Sequence, residues 1–140
     1  MSVQENKEFI RQYYSWDAAK VLKEAGSKKF ELHDPGFMYH AVTGDMNLEQ
    51  YGQMMQMLSM AFPDWKQTVE DIVAEGDNIA VRTFFIGTHQ GPFLGFPPTG
   101  KKVAMKGIVI YKMKNGKLVE GWSVSDMFTL MQQIGVIPKR

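Results

Sequence analysis

The sequence contains no cysteine, which excludes disulfides, thiolate nucleophiles and cysteine-ligated zinc sites. It also has almost no charge imbalance, since 16 Lys and Arg face 15 Asp and Glu and leave a net charge of +1. Binding to nucleic acid through charge needs a basic patch, and this composition gives no sign of one. We therefore expect a small, apolar ligand as the partner, and no nucleic acid.

Long apolar runs are missing as well. No stretch approaches the roughly 18 apolar residues of a membrane-spanning helix, and the N-terminal MSVQENKEF lacks the apolar segment of an export signal. These absences predict a cytoplasmic protein without membrane association. A chain of 140 residues suits one domain, which we expect to span residues 1–140.

The first half of the chain has a helical period. Apolar side chains recur at helical spacing between residues 4 and 25, and a break near Trp16 predicts one interrupted helix or two successive ones. A further helix is predicted over residues 47–62, because Asn47 and Gln50 have the spacing of a capping box. Its predicted buried stripe is Leu48, Tyr51, Met54, Met55, Leu58 and Phe62.

From Trp65 onward the pattern changes to strands. The predicted strands are 66–76, 78–91, 101–113 and 117–126. The Asn115-Gly116 pair before the last strand is a strong hairpin signal. Helices followed by such a meander predict an α+β fold, with helices on one face of a curved antiparallel sheet. Residues 80–86 are apolar on both alternating faces, so we expect a homodimer in which a second copy covers the other face.

Several motifs occur in an order that is typical of one family. They are AFPDW at 61–65, AEGDNIAVR at 74–82, GTHQGPFLGFPPTGKKV at 87–103, NGKLVEGWSVSD at 115–126 and QQIG at 132–135. Over about residues 5–137 the chain resembles the SnoaL-like polyketide cyclases, also called ester cyclases, of the nuclear-transport-factor-2-like superfamily. The resemblance implies a cone-shaped α+β barrel around N-terminal helices, a deep apolar pocket, a homodimer and no cofactor. It also implies intramolecular aldol condensation, with the acid/base Asp at the position of Asp126.

The residues around Asp126 allow two interpretations. On a strand, Trp122 and Asp126 project to the same face and would look into the same space. A buried carboxylate there could take a proton α to a carbonyl and return it to an alkoxide, because burial raises its pKa. Asp126 also directly precedes MFTLMQQ, which reads as a helix ending near Gly135, so it could instead be an N-cap. The resemblance favours the catalytic role.

The histidines also keep two interpretations each. His89, in GTHQG, could hydrogen-bond a substrate carbonyl or hold the following loop in place. His33 stands in an HDP run. The resemblance implies that the histidine of this run points toward the pocket, but it could equally anchor a turn. The predicted substrate-binding residues are Trp122, His33, His89, Tyr14 and Phe62. The three histidines at 33, 40 and 89 lack metal-ligand spacing, so we predict no metal site.

Two features limit the functional prediction. Arg82 lies in an apolar strand, where an unpaired charge is costly, so we predict that it forms a salt bridge. Residues 107–111, on the strand beside Asp126, offer no second acid/base group of the kind that the characterised cyclases use. Two classes of function therefore stay open: an enzyme acting on a small apolar carbonyl compound, and a non-catalytic binder or interaction module. A raised pKa of Asp126 would favour the enzyme, and a solvated N-cap would favour the binder.

Overall fold

The computed structural model describes residues 2–23 and 31–138. Its elements are α1 (Val3–Tyr13), α2 (Ala18–Lys23), β1 (His33–Ala41), β2 (Gly44–Asn47), α3 (Leu48–Ala61), β3 (Lys66–Glu75), β4 (Asn78–Thr88), β5 (Lys102–Lys114), β6 (Lys117–Ser125) and α4 (Met127–Gln133). The sequence predicts either one interrupted helix or two successive helices at the start of the chain, and the structure has two, α1 and α2. The last residues of this predicted helical run, 24 and 25, lie outside the described residues.

The strands form one six-stranded curved sheet in the order β2-β1-β6-β5-β4-β3. The predicted α+β class and the four-strand meander are confirmed. The sheet is not closed into a barrel, because β2 and β3 each have a single neighbour within the described ranges. It is also not wholly antiparallel, since β1 and β6 pair in parallel. The N-terminal hairpin β1–β2 is thus attached to the meander through this parallel pair.

Local sequence signals set the turns and the start of α3. Asn115 and Gly116 have φ values of 52° and 74°, which is the left-handed pair that a two-residue hairpin turn requires. Asn47 and Gln50 cap α3 reciprocally, with both side chain to backbone distances at 2.9 Å. The predicted hairpin and capping box are therefore confirmed.

The sheet has an inner face, defined as the face that packs against the helices. Aromatic contacts join the helices to this face. The ring centroids of Tyr13 and Tyr111 are 5.9 Å apart, and those of Phe62 and Phe85 are 5.7 Å apart. Of the predicted α3 stripe, Tyr51, Met55 and Phe62 are buried, while Leu48, Met54 and Leu58 are partly buried against the core. The core therefore lies between the helices and this face.

The opposite, outer face of the sheet is apolar and exposed. The side chains that define it are Val73, Ile108, Ile110, Trp122 and Val124, which are between 41% and 67% exposed. Charge is also present on this side, where Arg82 Nε donates to Asp71 Oδ2 at 2.9 Å. The salt bridge predicted for Arg82 is confirmed. Within the described ranges, no helix is both long and apolar enough to cross a bilayer.

Candidate functional site

The structure places the predicted site residues in three separate regions. His33 and Tyr14 lie together among buried tyrosines on the inner face. His89 and Phe62 lie together beyond the end of β4. Trp122 and Asp126 are both exposed and lie on the outer face and at the start of α4, respectively.

The most polar part of the core is a cluster that we call the tyrosine cluster. It contains all five tyrosines of the chain together with His33, and none of these side chains is more than 8% exposed. The tyrosines are Tyr13, Tyr14, Tyr39, Tyr51 and Tyr111. The Tyr13 hydroxyl lies 2.9 Å from His33 Nε2 and 2.7 Å from the Tyr51 hydroxyl. The Tyr14 and Tyr111 hydroxyls form a second pair at 2.6 Å.

Burial controls the protonation of this cluster. It raises the pKa of Tyr13, Tyr14 and Tyr111 well above the usual value, and neighbouring phenols raise it further for Tyr13 and Tyr111. The phenols therefore stay protonated and can each donate one hydrogen bond. Of these five, only Tyr14 was predicted as a site residue. The others were missed because they are far apart in sequence, as in the pair Tyr14 and Tyr111.

His33 is an inward-facing member of this cluster rather than a turn anchor. Its side chain is 2% exposed, and its ring lies 4.5 Å from Phe37 and 5.4 Å from Tyr13 between centroids. The following turn is held by Asp34, whose Oδ2 accepts a hydrogen bond from Gly36 N at 2.8 Å. Of the two interpretations of His33, the structure therefore supports the inward-facing one.

A surface groove between α1 and β3 has Tyr14, a member of the tyrosine cluster, in its lining. Its cavity has a volume of about 360 Å³ and is lined by Arg11, Tyr14 and residues 67–72. Tyr14 connects the two regions, because it lines the groove and its hydroxyl pairs with that of Tyr111.

The inner face is also partly open toward the end of β6. Cross-strand pairing places Val69, Thr83, Gly107 and Ser125 in one row across the sheet. A Cβ atom on Gly107 would lie 3.2 Å from both Thr83 Oγ1 and Ser125 Oγ, so the glycine lets these two hydroxyls approach the backbone of β5 closely. Gly107 and Ser125 are half-buried, whereas Val109, the next inner-face residue of β5, is buried. This row joins the groove at Val69 to the residue before Asp126.

Asp126 is the N-cap of α4 and lies on the surface. Its Oδ2 accepts from Thr129 Oγ1 at 2.6 Å and its Oδ1 from Thr129 N at 3.1 Å. These two hydrogen bonds lower the pKa of Asp126 below its usual value. The expectation of a buried carboxylate with a raised pKa is wrong, because exposure leaves little desolvation and both donors stabilise the charged form. The N-cap interpretation is confirmed.

Trp122 does not line an internal pocket. It lies on the outer face, 41% exposed, opposite Ile110 on β5, and its ring stacks at 5.6 Å on His40. Gly121 and Ser123 take the inner-face positions instead. The predicted pocket position of Trp122 is wrong for a simple reason: alternation shows which residues share a face, but not which face the helices cover. β6 also ends at Ser125, so the alternation does not extend to Asp126.

His89 and Phe62 are fully buried neighbours, with ring centroids 5.6 Å apart. His89 Nδ1 lies 3.0 Å from Thr99 Oγ1 and accepts a hydrogen bond from Thr99 N at 3.3 Å. These bonds hold the segment 91–100, so the loop-holding role of His89 is confirmed. Whether His89 and Phe62 also contact a ligand stays a prediction. Across residues 2–23 and 31–138, no group of three or more His, Asp or Glu side chains gathers to hold a metal ion.

Comparison with known proteins gives a consistent result. A search of curated proteins finds no match. A candidate SnoaL-like polyketide cyclase from Jannaschia sp. CCS1 has 26% identity and a TM-score of 0.84, covering 99% of this chain and 98% of its own. AclR from Streptomyces galilaeus, a candidate hydroxylase, has 27% identity and a TM-score of 0.82, covering 99% and 86%.

A third similar structure is IdmH from Streptomyces antibioticus, a candidate polyketide cyclase with 28% identity and a TM-score of 0.76, covering 93% of this chain and 98% of its own. The family model for the SnoaL-like polyketide cyclases matches residues 11–134, which is most of the chain. The matched range contains His33, the tyrosine cluster and Asp126. The chain therefore belongs to the SnoaL-like polyketide cyclase family.

Proposed function

We propose that this protein is a cofactor-independent enzyme that moves protons on a small apolar carbonyl compound, by aldol-type ring closure or by isomerisation. Family membership supports the reaction class. The observation that carries the proposal to this chain is the tyrosine cluster, a buried group of hydrogen-bond donors whose member Tyr14 also lines the groove. Access requires the ligand to displace contacts between α1 and β3.

The chemistry needs no external reagent. A base removes a proton α to a carbonyl, the resulting enolate carbon attacks a second carbonyl, and the new alkoxide takes up a proton. Protons therefore balance, and what the protein supplies is a base together with donors that stabilise the developing oxyanion. Protonated phenols such as those of Tyr13 and Tyr51 suit the second task, because a buried donor acts more strongly than one in water.

Asp126 is the proposed proton shuttle, and its surroundings restrict the substrate. Because its pKa is lowered, Asp126 is ionised at neutral pH and is a weak base. Such a base removes only an acidic C–H proton, for example one between two carbonyl groups. Asp126 directly follows Ser125 in the row of Thr83, Gly107 and Ser125, so a ligand on the inner face would have to displace the Thr83 and Ser125 hydroxyls to reach this carboxylate. A β-dicarbonyl compound is therefore the substrate class that fits best.

Exchange of α-protons for deuterium tests the proposal without knowledge of the product. Enolisable ketones and aryl β-keto esters are incubated in deuterated buffer with increasing protein, and loss of the α-proton signal is followed by NMR. We expect the parent protein to exchange α-protons faster than buffer alone. In Asp126→Asn the exchange rate should fall by at least about 100-fold, the usual contribution of a general base. Asn is a good N-cap, so the fold is kept. An unchanged rate in Asp126→Asn would remove Asp126 from the mechanism.

A second candidate function is a non-catalytic binder of an apolar small molecule. The observation that favours it is the exposed Asp126 with both carboxylate oxygens engaged by Thr129. The same assay separates the two functions. If compounds bind to the parent protein, as seen by ligand-observed NMR, and none of them exchanges above the buffer rate, the binder is the correct function.

We also propose a homodimer in which two outer faces meet. Five apolar side chains on β3, β5 and β6 are exposed there, and isolated soluble proteins rarely leave such a patch uncovered. Light scattering should give twice the chain mass of 16.0 kDa. Ile110→Glu on the patch should reduce the mass to that of one chain, whereas Lys114→Glu at the exposed end of the same strand should not. A single-chain mass for the parent at micromolar concentration would contradict the dimer.

A further inference from the structure

His89 has one ring nitrogen whose role the loop contacts do not explain. The side chain is fully buried, yet Nε2 has no hydrogen-bond partner among the described residues. Buried polar atoms are rarely left this way, and each exception calls for a ligand, a water molecule or a strained structure as its explanation.

The contacts of Nδ1 determine where the ring proton lies. Thr99 N donates to His89 Nδ1 at 3.3 Å, so Nδ1 uses its lone pair as an acceptor. In a neutral imidazole the proton must then be on Nε2. The unpaired atom is therefore an N–H donor, and an acceptor is what it lacks.

The surroundings of this donor are rigid and aromatic. His89 N donates to Lys101 O at 2.9 Å, and Gly100 N donates to His89 O at 2.8 Å, so the backbone on both sides is fixed. The His89 ring lies 5.6 Å from Phe62 and 6.5 Å from Phe93 between centroids. Loss of hydration beside these rings would cost an anion far more free energy than a neutral carbonyl oxygen on an apolar body.

We propose that His89 Nε2–H is the hydrogen-bond donor that fixes the carbonyl oxygen of an aromatic or other apolar ligand beside Phe62 and Phe93. The inference rests on the proposed function, which supplies the class of ligand. It adds a second donor for a ligand carbonyl, beside Phe62 and apart from the tyrosine cluster, and the tautomer that this donor requires. His89 thereby has two roles, with Nδ1 holding the segment 91–100 and Nε2 facing the ligand.

Ligand access follows from the segment that covers the ring. Phe93 is 4% exposed and belongs to a small hairpin closed by two backbone hydrogen bonds with Phe96, at 3.0 and 2.9 Å. The turn of this hairpin carries Leu94, which is 52% exposed. Opening the Nε2 side of His89 requires the hairpin to move outward with loss of the Phe93 packing, while the hydrogen bonds from Gln90 N and Gly91 N to Ala61 O hold its start.

The experiment uses acetophenone, a neutral aromatic ketone, as the probe. In the 15N-labelled protein, long-range 1H–15N NMR should show an unprotonated Nδ1 and a protonated Nε2 for His89. Saturation with acetophenone should shift the Nε2 and Hε2 signals. This readout needs no turnover, so it can fail while the proton-transfer function stands, and the reverse also holds.

Two matched variants separate the roles of the two ring nitrogens of His89. In His89→Asn the amide oxygen takes the place of Nδ1 and keeps the Thr99 contact, but nothing replaces Nε2. In His89→Gln the amide nitrogen reaches the Nε2 position and keeps a donor there. We expect acetophenone affinity to fall about tenfold in His89→Asn, as for one lost neutral hydrogen bond, and to change less than about threefold in His89→Gln. The thermal midpoint should fall more in His89→Gln.

Three outcomes would overturn the inference. A proton on Nδ1 would contradict the tautomer. No shift of the Nε2 signals at saturating acetophenone would show that the donor serves a buried water molecule or no partner at all. Equal affinity in the parent and in His89→Asn would show that Nε2 does not contact the ketone. The wild-type NMR measurement decides the question if either variant fails to fold.

Discussion

The inner and outer faces of the sheet depart from an ordinary soluble protein in opposite ways. The inner face buries polar groups, since His33 and five tyrosines lie within the core. The outer face exposes apolar groups such as Ile110 and Trp122. Buried polar groups and exposed apolar patches are the informative exceptions to the usual distribution. This difference underlies our two proposals, a ligand on the inner side and a second copy of the chain on the outer side.

Truncation of an apolar side chain should give the largest contrast in stability between the faces. Leu118, on the inner side of β6, is fully buried, so Leu118→Ala should lower the free energy of unfolding by about 2–5 kcal/mol. Val124, on the outer side of the same strand, is 65% exposed, and Val124→Ala should cost less than about 0.5 kcal/mol in dilute protein. Urea unfolding measures both, and equal costs would contradict the assignment of the faces.

Removal of one hydroxyl from the tyrosine cluster should have a smaller effect. Tyr13→Phe keeps the ring but takes a hydrogen-bond partner from both His33 and Tyr51, so it should cost about 1–3 kcal/mol. Tyr14→Phe affects a single partner, Tyr111, and should cost less. A loss below about 0.5 kcal/mol for Tyr13→Phe in urea unfolding would show that the cluster is not a tight network.

The cap of α4 should contribute less again. Asp126→Ala removes the acceptor of Thr129 N and should lower stability by about 1 kcal/mol. Asp126→Asn keeps a capping oxygen and should leave the thermal midpoint almost unchanged. If both variants lose the same stability, the carboxylate charge rather than the capping oxygen stabilises the helix.

The smallest effect is a pH dependence on the outer face. His40 bridges Asp45 at 2.8 Å and Glu120 at 2.6 Å, and these hydrogen bonds raise the pKa of His40 above 6.5. A raised folded-state pKa means that the stabilisation is complete below about pH 6.5 and is lost as the pH rises through the folded pKa. The urea midpoint should therefore fall slightly above that pH. His40→Gln should remove this dependence, and an identical pH profile in the variant would contradict the assignment.

The sequence patterns were sufficient where the deciding interactions are local. The capping box at Asn47 and the Asn115-Gly116 turn depend on neighbouring residues only, and both are confirmed. The order of helices and strands likewise follows from hydrophobic periodicity. The family motifs then identify the curved α+β fold, although they do not show that the sheet stays open.

The candidate site was harder to predict because its parts depend on long-range packing. Trp122 was placed on the wrong face because β6 carries apolar residues on both sides, so alternation could not determine which side the helices cover. Asp126 was expected to continue the strand, but the strand ends at Ser125 and the carboxylate caps a helix instead. The tyrosine cluster joins residues up to 97 positions apart through hydrogen bonds, and no local pattern encodes such contacts.

The most direct test of the central claim compares α-proton exchange in one variant from each face. Tyr51→Phe removes a donor from the inner face and keeps the ring, whereas Val73→Ala trims the outer face on β3. If the inner face stabilises the oxyanion, Tyr51→Phe should lower the exchange rate by about 100-fold, the usual effect of one lost donor, and Val73→Ala should leave it unchanged. Parent-level exchange in folded Tyr51→Phe would contradict the claim that the inner face is the site of proton transfer.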